Sequence, residues 1–133
     1  MNADNFLYGD ELLIAAFGQL APRSRFKVVD ESEIVVAFYT ARKQAQFAEL
    51  FKNYPFDEDG LRPRSNALSE GLDSLQQSRL VGRMNPDLVD YTIDPAIRIR
   101  FENHVRPKLE GKDELLAQFA NEIVRLLKIK GPQ

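Results

Sequence analysis

Apolar positions recur at helical spacing through most of the chain and at strand spacing in two short places. Leu12, Leu13, Ala16, Phe17 and Leu20 share one face, which predicts a first helix over 9–20, stopped by Pro22. In 23–29, Phe26, Val28 and Val29 fit either a brief strand or a packed loop. Asp30 and Glu33 have the form of a capping box, and Ile34, Ala37, Phe38, Ala41, Ala45 and Ala48 follow at helical spacing. Phe47, Leu50, Phe51 and Tyr54 lie about half a turn round that second helix, which calls for two partners or a kink before Pro55 ends it. The β-branched run Ile34-Val35-Val36 would suit a strand, but the Ala- and Gln-rich continuation favours a helix.

Residues 54–63 are rich in turn formers, and a third helix over 64–79 then carries Ala67, Leu68, Leu72 and Leu75 as a narrow stripe, with Ser65 as N-cap. Its other face, Asn66, Ser69, Glu70, Asp73, Gln76 and Gln77, is polar. The runs 80–84 and 88–93, joined by Asn85-Pro86-Asp87, read as a β-hairpin. Asp94-Pro95 supplies an N-cap with Pro at N1 and starts a fourth helix through Ile97, Phe101 and Val105, closed by Pro107. Ile97, Ile99 and Phe101 would also alternate as a strand; the cap favours the helix. A last amphipathic helix over 113–129 runs through Leu115, Leu116, Phe119, Ile123, Leu126 and Leu127.

The chain has 133 residues, 44% hydrophobic and 29% charged, the balance of one globular domain over 1–133 that needs no disulfide or structural metal. Cysteine is absent, which removes thiolate sites and thiol nucleophiles and fits a reducing, cytoplasmic setting. No basic residue precedes the first apolar positions, and the longest apolar run, 34–39, is far short of the roughly 20 residues that cross a bilayer. Neither a secretory signal nor a membrane span is expected. A net charge of −2 excludes a polycation, so any nucleic-acid contact must come from a local patch.

The succession helix, helix, Pro/Gly turn, helix, hairpin, helix resembles a winged-helix domain of the bacterial-regulator type. The residues that carry the resemblance are Pro-x-Ser-x-x-Leu-Ser-x-x-Leu-x-x-Leu from Pro63 to Leu75, Leu-Val-Gly-Arg from Leu80 to Arg83, and Asp-Tyr-Thr-Ile from Asp90 to Ile93. It implies a mostly α fold with a small β-hairpin, a winged helix-turn-helix over 9–94 with added C-terminal helices over 95–129. The chain departs from the pattern in its long second helix, the acidic loop before the third helix and an acidic wing. The resemblance implies double-stranded DNA as partner, transcription regulation as role, and a dimer or other homo-oligomer formed by the flanking helices. On it, the candidate DNA-binding residues are Arg62, Arg64, Ser65 and Asn66 at the start of the third helix, Ser69 and Gln76 along it, and Arg79 and Arg83 beyond. The same residues also make an ordinary solvated helix face with its cap. A protein-interaction module, or a subunit of a larger assembly, is the alternative reading.

Charge is segregated along the sequence. Between Leu61 and Met84, Arg62, Arg64, Arg79 and Arg83 outnumber Glu70 and Asp73 by two, whereas Asn85 to Asp94 holds Asp87, Asp90 and Asp94 with no base. A wing that grips phosphates is normally basic, so this one argues against strong DNA binding. From Pro95 to Lys112, Arg98, Arg100, Arg106, Lys108 and Lys112 face only Glu102 and Glu110, a cluster suited to phosphate contact or to pairing within the fold.

Catalytic signatures are missing. His104 is the only histidine and lacks a nucleophile and an orienting partner in its neighbourhood of sequence. Gly111-Lys112-Asp113 lacks the upstream glycine and the Ser/Thr of a P-loop. Setting Gly60 at the sixth position of a calcium loop puts Pro55 first and Asn66 twelfth, where carboxylates are required. Glu31 and Glu33 are explained by the start of a helix. No cofactor, no metal and no enzymatic activity are expected.

Overall fold

The computed structural model of the chain describes residues 6–21, 23–83 and 90–131. Its elements are α1 (Glu11–Phe17), β1 (Arg25–Lys27), α2 (Ser32–Arg42), a 3-10 segment (Ala45–Phe51), α3 (Asn66–Gln77), β2 (Val81–Arg83), β3 (Asp90–Ile93), α4 (Ile97–Arg100) and α5 (Asp113–Leu127). A π turn (Phe101–Val105) and a second 3-10 segment (Arg106–Leu109) join α4 to α5. The architecture is mostly helical with one small sheet. Pro22 and the expected turn Asn85-Pro86-Asp87, with Met84, Leu88 and Val89, lie outside the described residues.

Within 23–29 a strand forms at Arg25–Lys27, with Phe26 in it and Val28 and Val29 beyond it. β1 pairs antiparallel with β3 (Arg25 with Thr92, Phe26 with Tyr91, Lys27 with Asp90), so the expected hairpin is part of a three-stranded sheet in the order β1-β3-β2. Alternation decides the faces: Phe26 turns inward, with its ring centroid 5.2 Å from that of Tyr91 and 5.7 Å from that of Phe17, while Arg25 and Lys27 turn outward.

α1 is shorter than the spacing predicts and has no solvent side. Every residue from Leu12 to Phe17 is buried, including Ile14 and Ala15 off the predicted face, because α3, α4, α5 and the π turn surround it. The buried Tyr54 hydroxyl holds its start, donating to the Gly9 carbonyl at 2.8 Å and accepting the Leu12 N–H at 3.1 Å. At its other end a Cβ on Gly18 would stand 2.5 Å from Phe101 Cβ, so only glycine lets the π turn approach this closely.

The expected second helix breaks. α2 begins with the capping box: Asp30 Oδ1 accepts the Ser32 N–H at 2.8 Å, and Glu33 reaches back to the Asp30 N–H at 3.2 Å. It stops at Arg42; Gln44 is extended (ψ 126°), and the chain resumes as the 3-10 segment. The two apolar faces thereby reach one target. Phe38 from α2, and Phe47 and Phe51 from the 3-10 segment, stack edge-on against Phe119 of α5, with centroids 5.8, 5.4 and 5.8 Å away. Ala45 and Ala48, which continue the first face in sequence, end up exposed.

Pro107 does not close the fourth helix as expected, and Asp94-Pro95 form a turn ahead of α4 rather than its first residues. Lacking an N–H and clashing with the carbonyl four residues back, Pro107 is accommodated by the π turn before it and the 3-10 segment containing it. The choice of helix over strand holds: Ile97, Phe101 and Val105 are buried, whereas Ile99 is exposed.

One cluster of buried side chains runs from Leu7 to Leu127, so the C-terminal helices share the core of the rest. Leu116, Phe119, Ala120, Ile123 and Leu127 of α5 are turned into it against α1 and α2. Of the stripe that the resemblance would give to a twin, Leu116, Phe119, Ile123 and Leu127 are buried within the chain and Leu115 and Leu126 are half-buried. Among the described residues no helix is long and apolar enough to cross a membrane.

Candidate functional site

α3 is positioned by its own stripe: Leu68, Leu72 and Leu75 are buried, and Gly71 lies against the start of α1. Ser65 is buried, and its hydroxyl is occupied by the Leu68 N–H at 3.2 Å, the N-cap contact that the sequence predicts. The outward face is Asn66, Ser69, Glu70, Asp73 and Gln77. Gln76 is half-buried, with its Nε2 enclosed and without a hydrogen-bond partner. Two carboxylates therefore occupy the middle of the exposed face, and α3 itself carries no cation.

The arginines at its start are tied to acids. Arg62 donates to Ser32 Oγ at 2.7 Å and lies 3.7 Å from Asp30 Oδ1. Arg64 donates to Asp57 Oδ2 at 2.8 Å, and the same two residues exchange backbone hydrogen bonds of 2.8 and 2.9 Å. Both carboxyls are held below the ordinary range: Asp57 chiefly by the Asp59 N–H and then by Arg64, Asp30 chiefly by the Ser32 hydroxyl and N–H. Two of the candidate DNA-binding arginines are thus clamped within the chain, Arg64 by the acidic loop before α3 and Arg62 by the start of α2.

Arg79 stands in the left-handed region (φ 62°) just past α3. Its N–H bonds to the Gln76 carbonyl and the Leu80 N–H to the Leu75 carbonyl, a Schellman closure with arginine where glycine is usual. Its side chain is exposed and makes no ion pair among the described residues. Arg83 pairs through its backbone with Tyr91; its side chain is outside the described residues. The eight candidate residues thus divide into a clamped pair, a buried cap, a half-buried amide, Asn66, Ser69 and Arg79 facing solvent, and Arg83, of which only the backbone is described.

The second basic cluster folds back on the chain. Arg100 lies 3.3 Å from Asp10, Lys108 2.7 Å from Glu11 and Lys112 2.8 Å from Glu49, while Arg106 bridges Glu102 and Asp113 at 2.9 Å each. The hydrogen bonds that the Arg106 guanidinium donates to Asp113 and then to Glu102 push it above its ordinary value. Among the described residues the partners lie at the start of α1, in the 3-10 segment, in the π turn and at the start of α5.

The sequence reading misses a third cluster. Lys130 forms a two-way backbone bridge with Arg25 at 2.9 and 2.8 Å, which brings the tripeptide Lys128-Ile129-Lys130 beside Arg25-Phe26-Lys27. The signal was present as two cation-apolar-cation triplets at strand spacing, far apart in the chain.

His104 is exposed on the π turn, and among the described residues no three His, Asp or Glu come together in a group fit for a metal. No family model, curated protein or solved structure matches the chain.

Proposed function

We propose that the chain is a non-catalytic winged-helix module that recognises another protein. The order α1-β1-α2-α3-β2-β3 with sheet order β1-β3-β2, and α3 lying against β2, supports the winged-helix part. The stretch from Arg42 to Asn66, with its 3-10 segment and acidic clamp, replaces the short turn of an ordinary helix-turn-helix.

One observation carries the protein reading: the exposed face of α3 presents Glu70 and Asp73 and no cation, while Arg62 and Arg64 are already paired. A duplex docked there would set phosphates against carboxylates and release few counterions, the main source of nucleic-acid affinity. Val29 (82% exposed) and Leu61 (107%), the sequence neighbours of the Asp30–Arg62 ion pair, add exposed apolar side chains next to charged ones, which suits a protein interface.

Fluorescence anisotropy with mixed-sequence duplex DNA at salt from about 50 to 200 mM tests this. The expected result is no salt-sensitive binding, with Arg62→Ala/Arg64→Ala indistinguishable from the parent. In the source cells, a photo-crosslinker at Ser69 should yield one discrete protein adduct. Duplex binding lost in the double arginine variant would overturn the reading.

A further inference from the structure

Most cations of the described residues are spoken for by a carboxylate, a carbonyl or an aromatic ring. Six are not: Arg23, Arg25, Lys27, Arg79, Lys128 and Lys130. Four of these, Arg25, Lys27, Lys128 and Lys130, line a single groove of about 460 Å³ between β1 and the end of the chain, with Phe26 and Leu127 in its wall. Asp90, opposite Lys27 in the sheet register, is the one carboxylate among the described residues lining it, and among those residues it closes no ion pair. Alternation puts Arg25 and Lys27 on the same face about 7 Å apart. Lys130 lies directly across the backbone bridge from Arg25, and Lys128, in the left-handed region (φ 55°), turns the chain out of α5 into the groove. Like charges facing each other across paired strands are destabilising. Among the described residues the other basic clusters are neutralised and this one is left uncompensated, as an anion site requires.

We infer that this groove binds an extended acidic segment of the partner protein. Carboxylates at every second residue of an extended chain repeat at about 7 Å, the separation of Arg25 and Lys27. Arg25 points its N–H and C=O outward to Lys130, and antiparallel pairing gives Lys27 the same outward direction on the open edge of β1. Lys130 takes the Arg25 groups, so an incoming strand finds the Lys27 N–H and C=O beside the charges, the combination used in strand addition. A long phosphate polymer is a poorer match: only four of the unpaired cations line the groove, and the chain as a whole carries −2. A short acidic segment uses every one of them.

The inference rests on the reading of the chain as a protein-recognition module, and its test separates the two. Fluorescein-labelled peptides alternating Glu with Thr, and Lys with Thr, are titrated against the full chain by anisotropy alongside mixed-sequence duplex DNA. The Glu peptide should bind with an affinity that falls as salt rises, and the Lys peptide should not bind. Lys27→Glu with Lys130→Glu, both exposed positions, should weaken Glu-peptide binding at least tenfold while leaving the thermal midpoint in place, and Lys27→Ala with Lys130→Ala should weaken it less. Amide exchange at Lys27 should slow on peptide addition. Absence of Glu-peptide binding overturns the inference even where the α3 face shows no DNA binding, and so does duplex binding tighter than peptide binding that the Lys27→Glu/Lys130→Glu variant removes. Failure of the module reading looks different: duplex binding that this variant keeps and Arg62→Ala/Arg64→Ala removes.

Discussion

Replacing Gly71 with Ala sets helix propensity against a helix–helix contact. At an exposed mid-helix position the change gains up to about 1 kcal/mol. Gly71 is buried, and a Cβ there would stand 3.0 Å from the Gly9 carbonyl oxygen, 3.0 Å from Asp10 Cα and 3.2 Å from Leu13 Cδ1. Two of these are backbone atoms at the start of α1. That backbone is held by the Tyr54 hydroxyl on Gly9 and Leu12, and by Arg100 and Ser74 on the Asp10 carboxylate, so it has little room to yield. Forcing a methyl group into a filled contact costs about 1–3 kcal/mol, enough to outweigh the propensity gain and leave a net loss of about 1 kcal/mol. With a urea slope of about 1.5–2 kcal/mol/M, the unfolding midpoint should fall by about 0.5–0.7 M. Ser69→Ala, on the exposed face of the same helix, is the control and should leave the midpoint unchanged or raise it slightly. If Gly71→Ala raises the midpoint as the control does, the α1–α3 contact is looser than these distances state and the reasoning fails.

Phe119→Ala removes the ring on which Phe38, Phe47 and Phe51 converge and should cost about 3–5 kcal/mol in a urea titration; a loss of less than about 1.5 kcal/mol would mean that α5 is not the hub. Tyr54→Phe leaves the Leu12 N–H and the Gly9 carbonyl without their partner, and a loss of about 1–3 kcal/mol at neutral pH is expected. Burial pushes the Tyr54 hydroxyl well above its ordinary value of 10.0, so its contribution is complete below that pH and is lost as pH rises beyond it, when the unfolded chain gives up the proton first. Urea midpoints measured from neutral to alkaline pH should therefore decline less steeply in Tyr54→Phe than in the parent, and parallel declines would refute the assignment.

Local signals in the chain carried a good part of the fold. The Ser65 cap, the Leu68-Leu72-Leu75 stripe and the Asp30/Glu33 box act within a few residues, and each appears where the spacing places it. Half-turn offsets were legible too: Phe47 and Phe51 could not face the same way as Phe38 on one straight helix, and the chain breaks at Gln44. The candidate site was less legible because charge is decided by partners, and partners are set by tertiary contact. Arg62 and Arg64 read as free cations in sequence, yet Asp30 and Asp57 hold them in space.

What the sequence by itself determined is the set of elements that periodicity, caps and prolines define, and the absence of the residue sets that thiol, P-loop and calcium-loop chemistry require. What only the tertiary structure decided is which of those elements lose their solvent face and which charges lose their freedom. α1 is buried all round because four neighbours converge on it, a fact that no window along the chain contains. Arg25 and Lys130 become neighbours through a single backbone bridge between residues more than a hundred positions apart. Electrostatic and hydrophobic free energies depend on distance in space, whereas the sequence records only distance along the chain.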